Sequence, residues 1–176
     1  YKDTTSHYRY RLMACGFEEI ESGEKFVLNV NHLRSKRGTG AESNEKRMAN
    51  VDSLLVMLDK IEQEQLFGDS DVLLVGDYNA YTQEEPIQTL VRAGYADMVM
   101  RDDSMGYSYV YHSEAGYLDR VFASETMAKQ VKKVAVYHLN ADYFYSRGFK
   151  RGLDDTMFRY ADHDPILIRV ELSAAL

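Results

Sequence analysis

Residues Val72-Leu73-Leu74-Val75 form an unbroken apolar run that ends on Gly76-Asp77-Tyr78-Asn79. A strand with one wet face alternates apolar and polar residues, whereas a strand with no polar alternate is buried on both sides. A chain holding such a strand needs a covering layer above it and another below, which removes single-layer and all-helical folds. The surrounding pattern supplies the layers. Met48, Val51, Leu55 and Leu58 recur at helical spacing, and Leu54 and Ile61 widen the stripe, so a long helix precedes the run and Gly68 can stop it. Tyr8, Tyr10, Leu12 and Ala14 alternate with Arg9 and Arg11, and after a turn at Glu21-Ser22-Gly23-Glu24 the stretch 25–31 puts Phe26, Leu28 and Val30 on one face; the two predict a hairpin. Pro86 can open a short helix over 87–93 that Gly94 closes. Stretches 108–111, 118–123, 134–139 and 166–172 read as strands, 125–133 as a helix, and 141–159 as loop. The predicted fold is α/β of the α+β type, a layered β-sandwich flanked by helices in one domain over 1–176.

Composition narrows the partners. With 176 residues, 45% hydrophobic and 28% charged, the chain is long enough for a real core and ordinary for a globular protein. Its apolar runs fall far below the roughly 18 residues of a membrane span. The net charge of −7 has the wrong sign for a nucleic-acid coat, so a phosphate-bearing partner has to be met by a local basic patch or by metal ions. Cys15 is the lone cysteine, which excludes an intramolecular disulfide. The chain opens on Tyr1, so any targeting signal is out of view.

Four polar clusters end or interrupt apolar strands: Asn31-His32-Leu33-Arg34-Ser35-Lys36, Gly76-Asp77-Tyr78-Asn79-Ala80, Leu118-Asp119-Arg120 and Ala161-Asp162-His163-Asp164-Pro165. Singly, each has a plain structural reading. Gly-Asp-X-Asn makes turns, Asp-His-Asp-Pro can start a turn, and a lone strand-end histidine usually satisfies its own surroundings. Together, at one end of a sheet, they supply two histidines, several carboxylates and an asparagine. That set can do acid–base work and hold a hard divalent cation through oxygen. It lacks the His/Cys density of a zinc site, and no glycine-rich nucleotide loop or Gly-X-Ser-X-Gly elbow is present.

The order NHLRSK, GDYNAYTQEEP, YLDRVFAS, ADHDPILI resembles the endonuclease/exonuclease/phosphatase superfamily, the deoxyribonuclease I-like fold, and within it the bacterial secreted nucleases. The resemblance spans residues 31–168. It implies a catalytic set of His32, Asp77, Asn79, Asp119 and His163. Asp77 would orient the attacking water or ligate metal, Asn79 would bond a phosphate oxygen, and His163 would act as base or phosphate-polarising group with Asp119 behind it. His32 would serve as acid toward the leaving oxygen. Asp77 and Asp162 are the implied metal ligands, for Mg²⁺ or else Mn²⁺ or Ca²⁺, and Asn31, Arg34, Lys36, Tyr81 and Arg120 the implied substrate contacts. The family's early metal-binding Glu, in a Gln-Glu context, has no counterpart here, and Glu18 and Glu19 do not take its place. The expectation is therefore that this chain is the C-terminal portion of the fold, with the first portion upstream of Tyr1. Arg120 replaces the branch's usual His after Asp, and Ala161 its usual Ser.

The expected activity is metal-dependent phosphodiester hydrolysis, foremost as a DNA endonuclease, with DNA ahead of RNA as partner. A phosphatase or phospholipase on inositol phosphates or other small phosphoesters is the first rival, and a non-catalytic binding domain with an incomplete metal site the second. The resemblance favours an extracellular or periplasmic setting. Arg147, Lys150, Arg151 and Arg159, among Tyr143, Phe144, Tyr145, Phe149 and Phe158, would form a phosphate- and base-holding strip. Lys46 and Arg47 read as a solvated face with i,i+4 pairing. A cut fold would also leave strand edges or apolar surface exposed, a route to self-association.

Overall fold

The computed structural model describes residues 12–68, 71–143 and 157–172. In chain order its elements are β1 (Met13–Glu18), β2 (Lys25–His32), α1 (Gly40–Gln63), β3 (Val72–Asp77), α2 (Glu85–Arg92), β4 (Ala96–Asp97), α3 (Met98–Asp102), β5 (Tyr109–Tyr111), β6 (Glu114–Gly116), β7 (Asp119–Ala123), α4 (Glu125–Gln130), β8 (Val131–Val136) and β9 (Ile166–Val170). The two-faced run is β3, the middle of a five-stranded sheet ordered β1-β2-β3-β7-β4. β1 and β2 pair antiparallel as the predicted hairpin, β2 and β3 run parallel with α1 as their crossover, and β7 pairs antiparallel with β3.

Alternation along β3 sends successive side chains into two different cores. Leu74 joins Val27, Phe122 and Ala14 beneath α1 and α2, whose Val51, Leu54, Ile87 and Leu90 are fully buried there. Leu73 joins Val121 and Ala123 on the other side, where α3, α4 and the β8–β9 pair bring Met98, Met127, Val131 and Val134. Leu73 and Leu74 are both buried, as the run requires. The second side is covered only in part. Over β1 and β2, Met13, Phe17 and Val30 are 47%, 48% and 39% exposed, and Leu167 of β9 is 52% exposed. No helix is long and apolar enough to cross a membrane among the described residues.

The elements α3, β4 and β6 have no counterpart in the sequence expectation, and several others differ in their bounds. Helix α1 starts at Gly40, two turns ahead of its apolar stripe, because Ser43 and Arg47 are buried polar residues that a hydrophobic pattern misses. The segment expected as helix over 125–133 stops at Gln130, and Val131 already begins β8. A register shift between Val131 and Lys133 lets Val131 and Val134 both face inward while Lys132 and Lys133 stay exposed. Strand β1 is Met13–Glu18 among the described residues, running on past the expected 8–14, of which residues 8–11 lie outside the described residues.

Candidate active site

Three adjacent strands end on one rung. In the β2–β3 register His32 is level with Asp77, and in the β3–β7 register Asp77 is level with Asp119. Phe26, Leu28, Val30 and His32 share one face of β2, so the histidine stands on the partly covered side, 3.6 Å from Asp77 Oδ2 through its Nε2. Gly76 permits this closeness. It holds φ +136°, and a Cβ there would overlap the Asn31 carbonyl oxygen and come within 3.0 Å of its amide nitrogen. Asn79 follows at φ 48°. Its amide N–H donates to Asp77 Oδ1 at 2.7 Å, and its Nδ2 donates to Asp77 Oδ2 at 2.9 Å and to the Leu33 carbonyl at 3.1 Å. The asparagine thus pins the carboxylate and ties the loop after β3 to the loop after β2.

The loop before β9 carries the fourth group. His163 Nδ1 lies 2.7 Å from Asp119 Oδ2, and the Ser108 hydroxyl donates to the same oxygen at 2.7 Å. Backbone pairing of Tyr109 with His163 and an Asp164 N–H to Ser108 carbonyl bond of 2.8 Å fasten this loop to β5. Burial pushes the His163 imidazole down, but the hydrogen bond and charge of Asp119, with Asp77 and Asp162 beyond, more than offset it, and its pKa is raised. Burial also raises the Asp77 carboxyl; the Asn79 amide opposes this, while the neighbouring Asp119 adds to it. One ligand atom each from Asp77, Asp119 and His163 lies within 4.8 Å of the others. Two oxygen donors crowded beside an imidazole, one of them reluctant to ionise, fit a hard divalent cation.

The structure brings His32, Asp77, Asn79, Asp119 and His163 together and sorts the other predicted residues differently. Asp162 is exposed beside His163 and falls outside the close Asp77–Asp119–His163 group. Asn31 is not a substrate contact. It alternates with His32, so its side chain is buried under the helix layer, donating to Asn29 and, at 2.9 Å, to the Tyr78 hydroxyl. Arg120 is likewise turned inward from Asp119. It is fully buried, 2.9 Å from Asp97 and donating to the Thr82 hydroxyl at 2.7 Å, so it braces β7 rather than touching a ligand. Asn79 has both amide protons engaged, so it positions Asp77 and makes no phosphate contact in this arrangement. Lys36 and Tyr81 pack against each other. The ammonium lies 4.3 Å above the tyrosine ring and pairs with Glu84. Arg34 is half-buried on the loop after β2, where its carbonyl accepts from Arg47 at 3.3 Å. Arg47 is buried 3.8 Å from Glu84, not a solvated helix residue, while Lys46 pairs with Glu42 as expected. Most of the expected late basic strip, including Arg147, Lys150 and Arg151, lies outside the described residues. Arg159 donates to the Asn140 carbonyl at 2.8 Å.

Sequence reasoning missed three groups. Ser108 and Tyr109 looked like ordinary strand residues, yet one holds Asp119 and the other sets its ring 4.6 Å from that of His163. Asp164 is a buried hub. Its Oδ1 accepts the amides of Leu139, Asn140 and Ala141 at 3.0, 2.7 and 2.9 Å, and its Oδ2 meets His138 Nδ1 at 2.9 Å. Its position before Pro165 was the available signal.

The fold is similar to that of solved endonuclease/exonuclease/phosphatase proteins. An endonuclease/exonuclease/phosphatase family protein from Bacteroides thetaiotaomicron superposes with TM-score 0.61 at 16% identity, over 90% of this chain and 53% of that one. A mannosyl-6-phosphatase from the same organism gives 0.60 at 15%, over 93% and 57%. A 3′ phosphatase from Neisseria, bound to a product DNA hairpin, gives 0.60 at 12%, over 96% and 66%. The chain therefore spans about half to two thirds of the length of these structures. No family model matches the sequence, and no curated protein matches it.

Proposed function

We propose that this chain carries the hydrolytic site of a metal-dependent phosphoester hydrolase that acts on phosphodiesters, foremost DNA. The observation that carries the reading is the rung His32–Asp77–Asp119 with His163 hydrogen-bonded to its far end. Asp77 and Asp119 would hold Mg²⁺, Mn²⁺ or Ca²⁺, with exposed Asp162 available beside them. Such an ion neutralises phosphoryl oxygens and lowers the pKa of a bound water. The protein's own groups do the rest. Asp119, held by Ser108, takes up one imidazole nitrogen of His163 and fixes its tautomer, leaving the other nitrogen to accept a proton from water. Asn79 keeps the Asp77 carboxylate from rotating away. His32, exposed on the opposite side of Asp77, is placed to return a proton to the leaving oxygen.

The test is hydrolysis by the purified chain of plasmid DNA, single-stranded oligonucleotides and small phosphoesters, with each divalent ion and with chelator. Cleavage that needs metal and disappears in His163→Ala supports the reading; absence of turnover on every substrate overturns it. The net charge of −7 supports a second reading, a phosphatase on small phosphoesters, since a polyanion gains from steering that this charge opposes. Turnover confined to the small substrates would select it.

A further inference from the structure

An aromatic ladder leaves the site along the β5–β6 hairpin. The rings of His163 and Tyr109 are 4.6 Å apart; those of Tyr109 and Tyr111 are 6.3 Å apart and within 11° of parallel; those of Tyr111 and His112 are 4.1 Å apart. Tyr109 and Tyr111 are alternate residues of β5 and so share one face. The outer ring is largely open to solvent: Tyr111 is 57% exposed. The hairpin is nonetheless firmly placed. Tyr109 pairs with His163 through the backbone, and Tyr81 packs so tightly on Gly116 that a Cβ there would come within 2.8 Å of the ring. At the tip His112 and Ser113 hold φ 50° and 67°, a conformation that Asn-Gly would adopt at far lower cost. The less easy pair keeps the His112 ring against Tyr111.

We propose that Tyr109 and Tyr111 form a two-step stacking platform for successive bases of a nucleic-acid strand whose scissile phosphate lies at His163. This rests on the phosphodiesterase reading and names its substrate class. A compact phosphoester held at His163 reaches the first ring alone. The second ring is one strand repeat further out, and a ligand has to continue past its first residue to use it. Aromatic faces accept any base, so the platform gives strand preference with little sequence preference.

The experiment compares the whole chain with Tyr111→Ala and Tyr111→Trp. Binding of a fluorescein-labelled single-stranded oligonucleotide is read by anisotropy, and turnover of the same oligonucleotide and of bis(p-nitrophenyl) phosphate is read alongside. Loss of one stacked base predicts about tenfold weaker oligonucleotide binding and a matching rise in KM for Tyr111→Ala. Tyr111→Trp should restore both, and the small diester should be hydrolysed within about twofold of wild type, as a group outside its reach predicts. Unchanged oligonucleotide binding in Tyr111→Ala overturns the platform, as does an equal loss on both substrates. Oligonucleotide binding that depends on Tyr111 without any turnover would support the platform and overturn the hydrolase reading; turnover that ignores Tyr111 would do the reverse. A chain that binds no oligonucleotide overturns the platform whatever small esters it cleaves.

Discussion

The loop before β9 takes part in two histidine–aspartate pairs, and it serves them differently. In one it gives the histidine: His163 meets Asp119 at 2.7 Å. In the other it gives the aspartate: Asp164 meets His138 at 2.9 Å. Distance does not separate them. What separates them is the other work of each carboxylate. The Asp164 side chain has no exposure, and its second oxygen is taken by three backbone amides. Its charge is consumed in shaping the turn at 139–141. The Asp119 side chain keeps 19% exposure, takes one hydroxyl besides the imidazole, and stands level with a second carboxylate. Its field therefore acts on His163 and on whatever cation enters. A histidine–aspartate pair becomes chemically useful where the backbone leaves the carboxylate unsatisfied.

That contrast breaks most sharply under mutation of the two histidines. His163→Ala should lower phosphodiester turnover by about 10²–10⁴-fold, with thermal unfolding moved by little. His138→Ala should leave turnover within about threefold, because its ring stacks on Tyr107 at 4.4 Å, away from the rung. Equal losses in the two variants would erase the distinction. Asp164→Ala comes next. Orphaning three backbone amides, two of them buried, should cost about 3 kcal/mol or more of stability in urea titrations, and a loss no greater than that of Asp119→Ala would contradict the hub assigned to it.

Two smaller effects sharpen the active pair. The folded pKa of His163 is raised, so its protonated form favours the fold. The pair's contribution is whole below the unfolded value of about 6.5 and fades as pH rises through the raised folded value. Asp119→Asn should move the imidazole titration of the metal-free protein, followed by NMR, toward lower pH and flatten that dependence. An unmoved midpoint would leave Asp119 without its assigned influence. Asp77 shows linkage of the same sign through the other charge state, because here the neutral form favours the fold. Burial and Asp119 raise its pKa, so stability declines as pH climbs from about 3.8 through the folded value. Asp77→Asn should then raise the metal-free midpoint at neutral pH by about 2–4 °C while abolishing divalent-ion binding in calorimetry. A fall in the midpoint would mean that the carboxylate is stabilising after all.

The parts legible in the sequence were those where one pattern carried one meaning. The unbroken run at β3 required two cores, and the four polar clusters came together at one sheet end because strands deliver their ends there. The misreadings came from parity and from polar residues in core positions. Phe26, Leu28 and Val30 already put His32 on their own face and Asn31 on the other, yet Asn31 looked like a site residue because it adjoins one. Its true surroundings, Asn29 and Tyr78 under α1, are a buried polar network that hydropathy does not mark. Arg120 hid for the same reason: it sits between Asp119 and Val121 but shares its face with Phe122. Ser108 and Tyr109 carry no motif, since their value lies in where β5 meets the His163 loop.

Gly76 has a consequence beyond its own turn. The spacing of His32 and Asp77 is set by a methyl group that is not there. A strand advances about 3.3 Å per residue, about the distance that decides whether two groups exchange a proton. If an added Cβ pushes β2 and β3 apart or lets them slide, the fold has other contacts with which to absorb the shift, and the chemistry has none. Gly76→Ala would then yield an instrument that is intact but out of calibration. The tolerance of the whole site is machined into the one residue that contributes no functional group to it.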